Sequence, residues 1–232
     1  MSLINKNLKP TKYYDIILAV FVSFLLISNI SAVKIIDING FLTDGGAILF
    51  PLTYIFGDIL TEVYGYKYTR RAIWTAFFVM AVASITFLIV GWLPASADWP
   101  NQGSWNDILG FVPRIVIASL AAFLVGQFIN AFILAKLKAK YGKEKLWIRL
   151  VGSTFAGELL DTTIFAIVAF AGTGFMSAQD MVKFILIGWI FKTVVEILFL
   201  PVSYFVINKL KRAEQKDAVD KKTDFNPFSL DV

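Results

Sequence analysis

The sequence contains no cysteine and no histidine. The first absence excludes thiol nucleophiles, disulfides and iron–sulfur ligation, and together the two remove the common zinc ligand sets. Without imidazole, the usual general base and proton relay near neutral pH is missing. Charge is scarce as well: Asp, Glu, Lys and Arg make up 17% of the residues, against about 25% in an average soluble domain. That is too little to cover a water-facing surface. What is plentiful is apolar: 57% of the 232 residues are hydrophobic, and the mean hydropathy is +0.69. Lipid is the solvent such a composition fits. No Ser–His, Cys–His or metal-binding histidine motif is present, so an enzyme is not expected, and no cofactor or metal is implied.

About 20 apolar residues, each rising about 1.5 Å, cross a hydrocarbon core of about 30 Å. Six segments reach that length: residues 13–35, 46–65, 72–93, 114–136, 148–172 and 181–208, the second being the least apolar. The first run is long for a signal-peptide core, and no clear cleavage site follows it. The expected fold is all-α, a polytopic membrane protein with six transmembrane helices. Residues 1–12 form a short N-terminus, 13–208 the transmembrane transport domain, and 209–232 a charged tail expected to be disordered.

Orientation follows from the basic residues. Of the 22 Lys and Arg, 18 fall before span one, between spans two and three, around the connection of spans four and five, or after span six. The alternate connections hold only Lys34, Arg114 and Lys183, and Lys192 falls inside span six. The positive-inside rule then places both termini in the cytoplasm. The net charge of +5 is thereby accounted for by topology, and nucleic acid is not an expected partner. The longest outward connection, from about Pro94 to Pro113, carries Trp99 and Trp105. It reads as an aromatic interfacial belt or as a cover over an outward-open pocket.

Polar groups inside the spans are the informative residues, because a charge at the bilayer centre costs at least about 2.5–3.5 kcal/mol. Span two carries Tyr54, Asp58 and Glu62 at four-residue intervals, on one helical face. Span four carries Gln127 and Asn130, with Arg114 at its outer end; span five carries Glu158 and Asp161; span six carries Lys192 and Glu196; span one carries Ser28 and Asn29, with Lys34 near its outer end. Individually, Lys192 and Glu196 have the spacing of an intrahelical ion pair, Glu62 is near enough to the interface to be solvated, and Gln127 and Asn130 can be interhelical glue. Polar stripes on at least four helices together point to an internal polar site for a small molecule. Asn29, Tyr54, Asp58, Gln127, Asn130, Glu158, Asp161 and Lys192 are the candidate substrate-binding residues. Lys34, Glu62, Arg114 and Glu196 are candidates for coupling or gating. Ala122 with Gly126, and Ser153 with Gly157, have the spacing that lets helices approach closely. Gly57-Asp58-Ile59-Leu60-Thr61 and Gly157-Glu158-Leu159-Leu160-Asp161 form a faint repeat, as two inverted three-helix halves would.

Two stretches are more specific. The first is Ser28-Asn29-Ile30-Ser31-Ala32-Val33-Lys34-Ile35, then Phe50 through Gly65 (FPLTYIFGDILTEVYG), then Arg70-Arg71. The second is Gly152-Ser153-Thr154, Gly157-Glu158 and Asp161-Thr162, with Phe191-Lys192. Together they closely resemble the queuosine precursor transporter family, also called the vitamin uptake transporter family, over about residues 13–208. The resemblance implies import of a 7-deazaguanine, 7-cyano-7-deazaguanine or its aminomethyl relative, across the cytoplasmic membrane of a prokaryote. The family is also similar to the six-helix substrate-binding subunits of energy-coupling-factor transporters. An energising ATPase module as partner, and a homo-oligomer, therefore stay open. The residues suit such a cargo: a carboxylate accepts two adjacent N–H groups of a guanine-like edge, an amide reads the neighbouring carbonyl, and an aromatic ring covers the flat face. Glu158 and Asp161 would accept, Asn29, Gln127 and Asn130 would supply amides, and Tyr54 or a loop Trp the platform. If transport is ion-coupled, Asp58 or Glu62 would take up the proton.

Overall fold

The structure, a computed structural model, describes residues 11–38, 41–109, 113–142, 144–172, 177–221 and 223–229. The chain runs from helix α1 (Tyr14–Ser31) through two short strands, β1 (Ile35–Ile38) and β2 (Phe41–Asp44), and a 3-10 turn (Gly45–Ile48). Helices α2 (Phe50–Tyr64), α3 (Tyr66–Trp92), α4 (Gln102–Ile108), α5 (Pro113–Tyr141), α6 (Leu146–Phe170) and α7 (Ala178–Glu214) follow. Five of the expected spans thus overlap a long helix, and the second overlaps the shorter α2. The all-α expectation needs one correction: β1 and β2 pair antiparallel, with Ile35 opposite Asp44 and Ile38 opposite Phe41. The apolar, β-branched run at 35–38 reads equally well as the end of a helix or as a strand. Helix α1 in fact stops at Ser31, short of Ile35.

Contacts between the helices fix their directions. The Ser28 hydroxyl, late in α1, donates to the Gly46 carbonyl just before α2 at 2.9 Å. The Tyr14 hydroxyl, first in α1, donates to Tyr68 near the start of α3 at 3.0 Å. Glu214, last in α7, accepts from the backbone N–H of Lys12 and Tyr13 and from the Tyr64 hydroxyl (2.7 Å) at the end of α2. It thereby satisfies orphan donors at the start of α1, where no local side chain caps the helix. One end of the bundle therefore gathers the start of α1, the α2–α3 junction and the end of α7. These are the places where the basic residues cluster.

Among the described residues, five helices, α1, α3, α5, α6 and α7, are long and apolar enough to cross a membrane. This makes the chain a polytopic helical membrane protein. Helix α2 is not among them: 15 residues rise only about 22 Å. Yet twelve of those residues are buried, enclosed by α1, α3, α5 and α7. The low apolarity of α2 has this physical reason: its surroundings are other helices rather than lipid. Helix α7 is the opposite case, with Leu198 and Phe205 on a face turned away from the bundle.

Small residues set the tightest packing. A Cβ added at Gly157 of α6 would lie 2.9 Å from the Gly126 carbonyl oxygen of α5 and 2.9 Å from Asn130 Cβ. The two small-residue stripes read from the sequence therefore meet across this crossing.

The tail corrects a second expectation. It lies against the bundle rather than apart from it. Ala218 N–H donates to the Val63 carbonyl, and Asp220 accepts from the Tyr66 N–H at 3.1 Å. Arg70 donates to the carbonyls of Asp224 and Asn226, and the Trp74 indole to that of Pro227 at 2.7 Å. The Phe225 ring sits 5.0 Å from that of Tyr66. Composition marked these residues as solvated; the donors left open at the α2–α3 junction give them partners.

Candidate functional site

The buried polar residues fall into two groups that share α2. At the gathered end, Glu62 is wholly buried and held by cations from three helices. Arg149 of α6 grips it bidentately, at 2.9 and 3.2 Å. Lys211 of α7 donates to it at 2.6 Å, and Lys138 of α5 lies 3.4 Å away. Lys138 also donates to the Glu62 backbone carbonyl. Asp217, in the tail, completes the cluster by accepting from Lys138 at 2.6 Å and pairing with Lys211 at 2.9 Å. Burial works against the Asp217 carboxylate, but the hydrogen bonds and charges of the two lysines outweigh it and hold its pKa below the ordinary carboxylate value. Glu62 is therefore clamped, not solvated at the interface.

The second group lies deeper. Asn130 donates to Asp58 at 2.7 Å, and the Thr154 hydroxyl faces the other Asp58 oxygen at 3.4 Å. Lys192 reaches across from α7 to Asp161 of α6 at 2.8 Å and to Thr162 at 3.2 Å, with its ammonium 4.4 Å from the Phe50 ring centre. The spacing that permitted a Lys192–Glu196 pair within α7 is not used for one. Glu196 is buried, and among the described residues neither of its carboxyl oxygens has a hydrogen-bond partner. Tyr54 is wedged against the α5–α6 crossing; a Cβ on Gly126 would lie 2.3 Å from its hydroxyl. Gln127 faces Gly57 of α2, where a Cβ would lie 2.6 Å from its side-chain oxygen.

Several polar atoms of this layer have no hydrogen-bond partner among the described residues: the Tyr54 hydroxyl, both polar atoms of Gln127 and both carboxyl oxygens of Glu158. All three residues are fully buried. Buried polar groups are nearly always satisfied in folded proteins, and an unmet one costs about 1–3 kcal/mol. The concentration of unmet groups in one layer is what a site for a polar ligand offers.

Seven of the eight candidate binding residues, all but Asn29, belong to this layer. Asn29 is used elsewhere: it donates to the Leu25 carbonyl at 2.9 Å and accepts from Ser119 at 2.7 Å, tying α1 to α5. Lys34 is exposed. The Arg114 side chain lies outside the described residues. Trp99, before α4, and Trp105, within it, meet edge to face near the end of α3, where Gln102 donates to the Gly91 carbonyl; neither supplies a platform for the layer. Sequence reasoning missed Lys138, Arg149, Lys211 and Asp217 as site residues, having counted the three cations only for orientation. The one available signal was Arg149, set among the apolar residues Trp147, Ile148 and Leu150.

A membrane bundle of apolar helices around a fully buried layer of unmet polar groups has the build of a small-molecule transporter. The family model described as "Putative vitamin uptake transporter" matches residues 44–206, and the chain belongs to that family. Among curated proteins it is 30% identical over 192 residues to the "Probable queuosine precursor transporter" of Bacillus subtilis, covering 81% of this chain and 82% of that one. It is 29% identical to the "Queuosine precursor transporter" of Escherichia coli, covering 80% and 82%. The "Probable queuosine precursor transporter" of Haemophilus influenzae is 28% identical, over 73% and 71%. No solved structure matches the chain.

Proposed function

We propose that this protein imports a queuosine precursor, 7-cyano-7-deazaguanine or 7-aminomethyl-7-deazaguanine, across the cytoplasmic membrane of a prokaryote by alternating access. The observation that carries the reading is Glu158, buried with two acceptor oxygens and no donor. The ligand's adjacent N–H groups would be those donors, in a charge-assisted bidentate pair. Gln127, free at both its amide oxygen and nitrogen, would read the neighbouring carbonyl, and Tyr54 would lie against the ring. Asp161 with Lys192, and Asp58 with Asn130, would frame the ligand.

In this reading α2 completes a sixth crossing inside the other helices. The gathered end, with its clamp and tail, faces the cytoplasm together with both termini, as the basic residues there favour. Uptake of radiolabelled ligand by the purified protein in liposomes tests the proposal. Glu158→Ala and Asp161→Ala should each abolish uptake in folded protein, and normal uptake by both would defeat the assignment. Tight binding without uptake by the protein alone would make it a capture subunit that works with an ATPase module.

A further inference from the structure

Where the start of α6 meets the end of α7, a cavity of about 350 Å³ opens beside the Glu62 clamp. Leu146 and Arg149 line it from α6, Lys211 and Arg212 from α7, and Lys216 and Asp217 from the tail. Its volume falls in the range of small-ligand sites, about 300–1,000 Å³.

The cavity carries more positive charge than its neighbours neutralise. Four of those six side chains are cations and one is a carboxylate. With Lys138 and Glu62 behind them, five cations face two carboxylates. The Lys216 ammonium is turned to the Tyr68 ring, 4.0 Å from its centre. Arg212 is exposed, and among the described residues it has no ion-pair partner.

Two further donors point to an anion. Arg149 is fully buried and gives both terminal nitrogens to Glu62. Its Nε, also buried, has no hydrogen-bond partner among the described residues, a condition rare for a buried polar group. The second donor set is the first turn of α6, which begins at Leu146 and which no side chain caps. Its free N–H groups form the positive end of the helix. Glu144, just before it, is exposed and does not line the cavity. Lys211 and Arg212, in the last turn of α7, offset the negative end of that helix. A guanidinium, a buried N–H and an uncapped helix start are the groups that recognise a phosphate oxyanion.

We propose that this cavity binds a phosphate group. Two sources share that chemistry, the headgroup of an anionic phospholipid and free phosphate. The surroundings favour the lipid. Trp147 and Ile148 of α6, and Val202 and Phe205 of α7, are exposed near the cavity and offer apolar surface to acyl chains. Basic pockets between membrane helices hold anionic headgroups in this way. The phosphate ties α6 to α7 at the end where the clamp ties both to α2. The inference does not depend on which ligand the buried polar layer takes.

Full-length protein in a neutral detergent is titrated with phosphatidylglycerol, with phosphatidylcholine of the same acyl chains, and with inorganic phosphate. Native mass spectrometry reads the bound lipid, and the thermal-unfolding midpoint reads its effect. Phosphatidylglycerol should bind and raise the midpoint, since a ligand held only by the folded state stabilises it. Phosphatidylcholine should bind about tenfold more weakly, lacking the net charge. Arg212→Glu should lower phosphatidylglycerol affinity by about tenfold or more and leave the lipid-free midpoint unchanged. Arg71→Glu alters an exposed cation at the same end but outside the cavity, and should bind the lipid as the wild type does. Stabilisation by inorganic phosphate at the same concentrations as the lipid, lost in Arg212→Glu, would make free phosphate the ligand of this site. Equal losses in the two variants would mean a diffuse surface effect and overturn the inference. So would equal binding of the two lipids with no response to phosphate.

Discussion

Asp58 and Glu62 lie one turn apart on the same face of α2, and the bundle treats them in opposite ways. Glu62 meets three cations. Asp58 meets an amide and a hydroxyl. One turn further from Glu62, the Tyr54 hydroxyl has no hydrogen-bond partner among the described residues. Satisfaction thus falls along α2 from its C-terminal end toward the middle of the bundle. A buried charge cluster that is matched on every side holds helices in register. A buried polar layer left unmatched costs stability and is kept only where a ligand or ion repays it. The difference separates a clamp from a site, although the residue types are alike.

The strongest way to break the comparison is to remove the centre of the clamp. Glu62→Ala leaves Arg149, Lys138 and Lys211 short of a partner, and removing one member of a buried ion pair costs about 3–5 kcal/mol. Thermal unfolding in detergent should show the loss; an unchanged midpoint would mean the cluster carries no structural load. Glu158→Gln tests the other side. It should leave the midpoint unchanged or raise it, while ligand affinity falls about ten- to hundredfold, the worth of a charged hydrogen bond of about 1.5–3 kcal/mol. Equilibrium binding on the purified variant measures this, and a variant that unfolds early while still binding normally would put Glu158 on the clamp's side.

Gly157→Ala probes what positions the layer. Its new Cβ would fall 2.9 Å from the Gly126 carbonyl oxygen, and overpacking of this kind costs about 1–3 kcal/mol. Both the unfolding midpoint and ligand binding should fall, because α5 and α6 carry Gln127, Asn130 and Glu158 together. The smallest expected effect concerns the tail. The Asp217 pKa is lowered by folding, so its contribution is fully present above the ordinary carboxylate range and is lost as pH falls through the folded value. The tail should therefore stay docked from neutral pH down to about pH 4, the unperturbed value for Asp, and loosen only below it. Protease accessibility of residues 216–229 across that range checks the sign; loosening on the alkaline side would contradict it.

Much of the fold is legible in the sequence. Long apolar runs coincide with helices, and the spacing of Gly126 and Gly157 marks a crossing where α5 and α6 do come close. The candidate layer was legible too, because charged and amide residues inside apolar runs stand out whatever their partners. Their pairing was not legible. Local spacing offered Lys192 to Glu196, but the ammonium goes to Asp161, 31 positions away. The docking of the tail is illegible for a related reason: its charges read as solvating, and its partners lie more than 150 positions earlier.

Composition and the order of charges were enough, by themselves, to determine a helical membrane protein with basic residues gathered in alternate connections, since hydropathy and residue counts are properties of the chain alone. Tertiary structure decided which buried carboxylate is matched and which is left waiting. Arg149 grips Glu62 from 87 positions away, and whether any donor reaches Asp58, Glu158 or Glu196 depends on which helix faces cross. Whether a buried charge has a partner depends on distances of a few ångströms across helices, and no local stretch of sequence encodes those distances.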